Sequence, residues 1–198
     1  MNNRITQFTD KYKKSGFMGQ ILLKKFFAKI QSILPNEISS VAEIGCGAGY
    51  STKELVNFFD SGVSFFASDV DPELVKLARE KTSNVEFGTE SIYQLEHDNS
   101  SFDLVFCLEV LEHLESPDEA LAELERITKK YVVVSVPNEP LWRMLNMARF
   151  TYLKDFGNTP GHLNHWSKKK MVDFVSRKFD VIKATSSLPW IIILAKKK

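Results

Sequence analysis

The chain has 198 residues, 43% hydrophobic and 26% charged, the length and composition of one ordinary globular domain. That excludes a collagen-like, broadly disordered or disulfide-framed chain. Basic and acidic side chains number 26 and 25 and leave a net charge of +1, so no overall polycation points to nucleic acid or an anionic membrane. Along the chain the balance is uneven: residues 1–40 carry +5, residues 41–140 carry −13 and residues 141–198 carry +9. The plainest reading is separate solvated faces. The two cysteines, Cys46 and Cys107, fit a reduced compartment better than a disulfide framework. The N-terminus is polar, and the longest apolar run, residues 190–195, is too short to span a bilayer. The expectation is a soluble, cytoplasmic protein with no membrane insertion.

In chain order, residues 20–34 place Ile21, Leu22, Phe26, Phe27, Ile30, Ile33 and Leu34 on one broad helical stripe that Pro35 ends. Residues 41–44 read as a short strand running into glycines, residues 51–59 as a helix and residues 63–67 as a second strand. Asp71-Pro72 opens the next helix, with proline at a favoured first position and Asp71 as its cap. Residues 84–87 read as a third strand. Residues 102–108 are nearly all apolar, as in a central strand buried on both faces. A helix with an acidic first turn follows from Ser116 to Ile127, then a strand over residues 131–136 closed by Pro137. Residues 167–179 read as a helix. Residues 181–184 and 190–195 read as strands joined at Ser186-Ser187, a connection short enough for an antiparallel hairpin. The alternation predicts an α/β fold with a doubly wound, mostly parallel sheet and helices on both faces. Ligands of such folds sit at the carboxyl ends of the strands, where Glu43 to Gly49, Asp69, Leu108 to His113 and Pro137 to Glu139 fall.

The turn Glu43-Ile44-Gly45-Cys46-Gly47-Ala48-Gly49 follows a strand and precedes a helix. Its glycines allow a sharp turn and close approach of the backbone to a ligand. The spacing is G-x-G-x-G, not the G-x-G-x-x-G of a pyrophosphate-binding turn, and an acid stands two residues ahead. A carboxylate there repels pyrophosphate and attracts an ammonium or sulfonium group, which disfavours a nicotinamide-dependent reductase. Asp69 ends the second strand, where a carboxylate can accept both hydroxyls of a ribose.

Five segments in register resemble the successive motifs of class I S-adenosylmethionine-dependent methyltransferases. They are V-A-E-I-G-C-G-A-G-Y-S-T from Val41, S-D-V-D-P from Ser68, S-F-D-L-V from Ser101, E-V-L-E-H-L from Glu109 and S-V-P-N from Ser135. The resemblance covers about residues 38–198. It implies a seven-stranded Rossmann-like sheet with an antiparallel last strand. It implies cofactor contacts at Glu43, Gly45, Cys46, Gly47 and Gly49, ribose contacts at Asp69 with Val70 beside it, and methionyl contacts near Leu108 and Glu109. Where such proteins carry an acid and a small apolar residue for the adenine, this chain has Ser91-Ile92, with Glu90 one place early. Either the Ser91 hydroxyl or Glu90 can then serve the adenine amino group.

Three ionisable residues, Glu109, Glu112 and His113, follow the fourth strand, and His162 and His165 come later. Three readings stand. Glu109 touches the cofactor's amino group while Glu112 and His113 hold loops; or His113, with Glu112, takes a proton from a substrate hydroxyl, its ordinary pKa lying near working pH; or Glu109, Glu112, His113 and His162 bind Mg²⁺, Mn²⁺ or Zn²⁺. The last pattern resembles the metal site of methyltransferases acting on the 2′-hydroxyl at RNA 3′ ends, where a histidine lies four residues before a tryptophan, as His162 does before Trp166. Ubiquinone-pathway O-methyltransferases show a similar cluster.

The whole chain, 1–198, is expected to be one methyltransferase domain. Residues 1–37 resemble a helical flap over the cofactor, and residues 137–166 read as a lid-like insertion. Arg143 and Arg149, with His165, then face an acceptor. Basic flanks around the entrance predict an anionic small molecule. The expected activity is O-methylation of a small molecule with S-adenosylmethionine. A metal-assisted RNA 2′-O-methyltransferase and a non-catalytic, cofactor-binding regulator are the alternatives; the near-zero net charge argues against nucleic acid.

Overall fold

The structure is a computed structural model that describes residues 17–148, 158–159 and 161–198. Helix α1 (Phe17–Gln31) buries Phe26, Phe27 and Ile30. It begins three residues earlier than the apolar stripe suggests and ends three residues sooner, because Ser32 and Ile33 form a turn ahead of Pro35. The strands are β1 (Ser40–Ile44), β2 (Ser64–Asp69), β3 (Glu86–Thr89), β4 (Phe102–Leu108), β5 (Thr128–Pro137), β6 (Phe179–Ser187) and β7 (Trp190–Lys197). Between them lie α2 (Tyr50–Val56), α3 (Pro72–Arg79), α4 (Pro117–Ile127), α5 (Glu139–Ala148) and α6 (Lys168–Val175), with a 3₁₀ turn at Leu111–His113.

The strands form one sheet in the order β3-β2-β1-β4-β5-β7-β6. The first five are mutually parallel, and β7 runs against both β5 and β6. This is the expected doubly wound sheet with an antiparallel last strand. After β1 the chain winds outward to β3, then returns to place β4 on the other side of β1. The carboxyl ends of β1 and β4 therefore flank the switch point, where such sheets open a crevice.

Two cores lie on opposite faces, and the period of two along each strand sorts residues between them. On β4, Phe102, Val105 and Cys107 face a core shared with Leu121 and Leu124 of α4 and Met171 and Phe174 of α6. Leu104, Phe106 and Leu108 face the other, with Phe26 and Ile30 of α1, Leu55 of α2 and Val75 and Ala78 of α3. All seven residues of β4 are buried, as its nearly all-apolar sequence predicts, Asp103 included.

Several boundaries differ from the sequence reading. The third strand runs over 86–89, because its pairing with Phe66 to Asp69 starts later. The α2 and α6 helices are shorter than residues 51–59 and 167–179, and Phe179 belongs to β6. The hairpin turns at Leu188-Pro189 and not at Ser186-Ser187, which pair with Ile191 and Trp190. Among the described residues no helix is long and apolar enough to cross a membrane.

Candidate active site

The turn after β1 is built by backbone contacts that its glycines permit. The Gly45 and Cys46 amides both donate to the Ser68 carbonyl at 2.8 Å, which folds the turn over the end of β2. Gly45 has φ +85°, and a Cβ there would lie 2.3 Å from Val110 Cγ2, beyond β4. Gly49, φ +76°, would push a Cβ to 2.8 Å from the Ala78 backbone on α3. Cys46 packs its thiol in the core, and burial raises its pKa. Its contribution to a ligand is thus backbone only.

Glu43 points into this turn while almost completely buried. Thr52 Oγ1 donates to its Oε2 at 2.6 Å; Oε1 is buried without a hydrogen bond. Burial pushes its pKa up to about 7, the Ser51 and Thr52 hydroxyls work against that, and the Asp69 charge adds to it. A carboxylate held this far from water gains most from a cation brought beside it.

Asp69 accepts from the Gly47 amide at 2.8 Å through Oδ2 and from the Asp71 amide at 3.0 Å through Oδ1. Burial raises its pKa despite these bonds. Each oxygen keeps a second lone pair, so the contacts aim the group without exhausting it. Asp71 caps α3, accepting from the Glu73 amide at 3.0 Å. Val70 is 63% exposed, an apolar side chain presented at the carboxyl edge. On the adenine side, Ser91 Oγ accepts from the Tyr93 amide and Ile92 packs its side chain into the core. Glu90 is turned inward: its Oε2 accepts from the Glu96 amide at 2.9 Å and its Oε1 lies 4.0 Å from His97 Nε2. One Glu90 oxygen is thus held by the Glu96 amide, and the other lies beside His97.

Beyond β4, Leu108 is buried and Glu109 adopts φ +59°. Glu109 Oε1 accepts from Ser135 Oγ at 2.9 Å. The 3₁₀ turn then carries Glu112 and His113. Residues 161–167 fold back across it, since the Leu163 and Asn164 amides donate to the Glu112 carbonyl and Asn164 Nδ2 to the Leu111 and Leu114 carbonyls. That strap brings His162 to His113, ring centroids 5.0 Å apart.

One ligand-capable atom from each of Glu112, His113 and His162 lies within 4.8 Å of the others. His113 Nδ1 is 2.8 Å from the Gly161 carbonyl, and its Nε2 is 3.9 Å from Glu112 Oε1. A carbonyl only accepts, so Nδ1 carries the hydrogen and Nε2 is left as acceptor in the neutral ring. His162 Nδ1 meets Glu139 Oε1 at 2.5 Å, both side chains buried. The four-residue metal set read from the sequence is corrected on one member: Glu109 falls outside the cluster because its αL backbone turns it toward Ser135. His165 is exposed, with Nε2 3.1 Å from Asn158 Oδ1. The Arg143 side chain and all of Arg149 lie outside the described residues, as do residues 1–16 of the expected flap.

Sequence reasoning placed Glu139 and Ser135 at the carboxyl edge without giving either a partner, and it gave Asn164 no role. An acid opening the helix after Pro137 looks like an ordinary N-terminal charge, and only the fold sets it against His162. A serine inside the valine run 132–136 was the available signal for Ser135.

Residues 42–135 match the family described as a methyltransferase domain. That match covers a little under half of the chain, and the sheet around it has the Rossmann-like fold of class I S-adenosylmethionine-dependent methyltransferases. A ubiquinone biosynthesis O-methyltransferase from Xanthomonas axonopodis pv. citri is 30% identical over 146 residues, 64% of this chain and 59% of that protein. Its counterpart from Xanthomonas oryzae pv. oryzae is 33% identical over 94 residues, 45% of this chain and 38% of that protein; the chain thus spans less than two thirds of these relatives. In fold it is similar to a protein of Pyrococcus horikoshii OT3, TM-score 0.77 at 14% identity with both chains fully covered. It is also similar to magnesium protoporphyrin IX methyltransferase from Synechocystis PCC 6803, solved with bound S-adenosylhomocysteine, TM-score 0.70 at 16% identity over 98% of this chain and 94% of that one.

Proposed function

We propose that this methyltransferase uses S-adenosylmethionine to methylate an oxygen of a small molecule. The observation that carries the reading is the pairing of two unlike groups along one edge. Buried Glu43 and half-buried Asp69 stand at the glycine turn, suited to a cationic nucleoside, and the Glu112–His113–His162 cluster stands beyond β4, suited to an acceptor hydroxyl. The name of the Xanthomonas relatives supports oxygen as the acceptor atom. Under this reading the turn from Gly45 to Gly49 takes the cofactor with Glu43 beneath, and Asp69 takes the ribose. Val70 and Ser91 border the adenine, while Leu108 and Glu109 take the methionyl end. Methyl transfer runs in line from sulfonium to nucleophile, so holding the partners together supplies much of the rate. His113 Nε2 receives the hydroxyl proton, with Glu112 beside it to stabilise the imidazolium.

A divalent ion is the second reading, favoured by one observation: both cluster histidines direct Nδ1 at an oxygen acceptor, which leaves Nε2 basic, the outer-shell pattern of ligating imidazoles. Glu112, His113 and His162 would hold the ion, which would align an acceptor oxygen and ease its deprotonation. Metal analysis of the purified protein, with activity before and after chelation, separates the readings; full activity without metal leaves His113 as base.

In this reading α5 and the strap 161–167 form the acceptor wall, His165, Arg143 and Arg149 are its contacts to an anionic group, and residues 1–37 act as a flap. Charge reversal at both arginines is expected to raise KM for the true acceptor. The class assignment itself is tested by thermal shift: S-adenosylhomocysteine should stabilise the protein and NAD(P) should not. Binding without turnover across hydroxylated small molecules and RNA would leave a cofactor-binding regulator.

A further inference from the structure

A hydroxyl buried in the middle of an apolar strand has no local partner and costs free energy unless it finds one. Ser135 is such a group: it is fully buried in β5, between Val134 and Val136. Its partner is on the neighbouring strand's end. Leu108, the last residue of β4, pairs with Ser135 in the sheet, so the next residue, Glu109, leaves the strand directly beside it. The Glu109 amide donates to the Ser135 carbonyl at 3.0 Å, and Ser135 Oγ donates to Glu109 Oε1 at 2.9 Å. One serine thus holds both the backbone and the carboxylate of Glu109.

The backbone it holds is an unusual one. Glu109 has φ +59°, a region that side-chain-bearing residues seldom occupy and that persists only where surroundings over-determine it. In an extended conformation Glu109 would continue β4; in this one the chain turns at once into the 3₁₀ segment that carries Glu112 and His113.

We infer that Ser135 is a positioning residue for the cofactor's amino-acid end: by clasping Glu109 it sets a carboxylate where the α-ammonium of S-adenosylmethionine is received. This rests on the cofactor reading above and deepens it. The clasp gives the site its discrimination between the complete cofactor and adenosine thioethers that lack the amino acid. A carboxylate with one oxygen fixed meets an ammonium with less ordering left to do on binding.

The test is calorimetric titration of wild type, Ser135→Ala, Glu109→Gln and the double variant with S-adenosylhomocysteine and with 5′-methylthioadenosine. The two ligands share the nucleoside and the sulfur, and only the first has the ammonium. Ser135→Ala is expected to weaken S-adenosylhomocysteine about tenfold while 5′-methylthioadenosine stays within about twofold, and adding it to Glu109→Gln should change little, as for two groups acting through one contact. Ser135→Thr, which keeps the hydroxyl, should retain most of the affinity. If Ser135→Ala does not fold, Ser135→Cys, nearly isosteric and a weak donor, replaces it with the same two ligands. Unchanged S-adenosylhomocysteine affinity, or equal loss for both ligands, overturns the inference. Wild type that binds neither ligand overturns the cofactor reading as well.

Discussion

At the residue scale the site works by holding acids away from water. Glu43 ionises in the folded chain only near pH 7, against 4.5 for the free group. The folded state therefore keeps a proton that the unfolded chain has lost, and stability falls as pH rises from about 4.5 to about 7, by on the order of 3 kcal/mol, then levels. A bound cation reverses the preference, so binding near neutral pH should release a proton. Titrating S-adenosylmethionine at pH 7 in buffers of different ionisation enthalpy should reveal that release. Glu43→Gln should abolish it, weaken binding, and raise the melting temperature of the ligand-free protein above pH 7. A melting temperature that does not respond to this substitution would remove the buried charge from the account. Much of this was legible in the bare chain, because a carboxylate two residues ahead of G-x-G-x-G has a sign and a place. The Glu139–His162 contact was not: 23 residues separate the partners, and nothing local in either segment requires the other.

At the element scale the loop between β3 and β4 depends on a brace from α4. Arg126 donates to the carbonyls of Leu95 and His97, and Glu123 accepts from the Leu95 amide at 2.9 Å while pairing with Arg126 at 2.8 Å. This loop carries Ser91 and Ile92. Arg126→Met keeps the stem's packing and removes the donors, leaving the Leu95 and His97 carbonyls to other partners. The expected result is a loss of about 1–3 kcal/mol in stability, comparable to hydrogen bonds with a charged partner, together with weaker 5′-methylthioadenosine binding. Loss of stability with nucleoside affinity intact would limit the brace to a structural part. β4 could be read from the chain because six of its seven residues are apolar and five of them, Leu104 to Leu108, are consecutive, a run with one simple explanation. β3 was misplaced by two residues because Glu86 and Gly88 carry little β preference; its limits come from pairing with β2.

The foot of the sheet supplies a second element-scale lock. Asp103 opens β4 almost fully buried. Burial alone would raise its pKa, but the Ser39 hydroxyl and amide, with Lys130, together bring it down to about 2. Ser39 precedes β1, so this carboxylate ties the starts of the two central strands. Its contribution is complete above the ordinary pKa of 3.8 and is lost as pH falls through about 2. Its size is about 1–2 kcal/mol, because Lys129 and Lys130 are exposed enough for solvent to screen them. Asp103→Asn should flatten the stability curve between pH 4 and 2, measured by urea unfolding; an unchanged slope would assign the acid transition to other carboxylates.

At the scale of the whole molecule the uneven charge takes on a physical role. The segment of net charge −13, residues 41–140, supplies all but the first residue of β1 and the whole of β2 to β5, and with them the glycine turn, Asp69 and Glu109. Under the proposed function the cofactor differs from its product by one sulfonium charge: S-adenosylmethionine carries net +1 and S-adenosylhomocysteine none. The acidic half therefore attracts substrate cofactor more than spent cofactor, through a long-range field as well as through Glu43 in contact. Salt acts on the first and not on the second, since screening falls from about 30 Å in reach at 0.01 M to about 3 Å at 1 M. Raising sodium chloride across that range should weaken S-adenosylmethionine binding several-fold while S-adenosylhomocysteine changes little, and Glu43→Gln should lower the affinity ratio at every salt concentration without altering its slope. Parallel salt dependences for the two ligands would mean that the segregated charge plays no part in telling them apart, and that the discrimination is made at the turn itself.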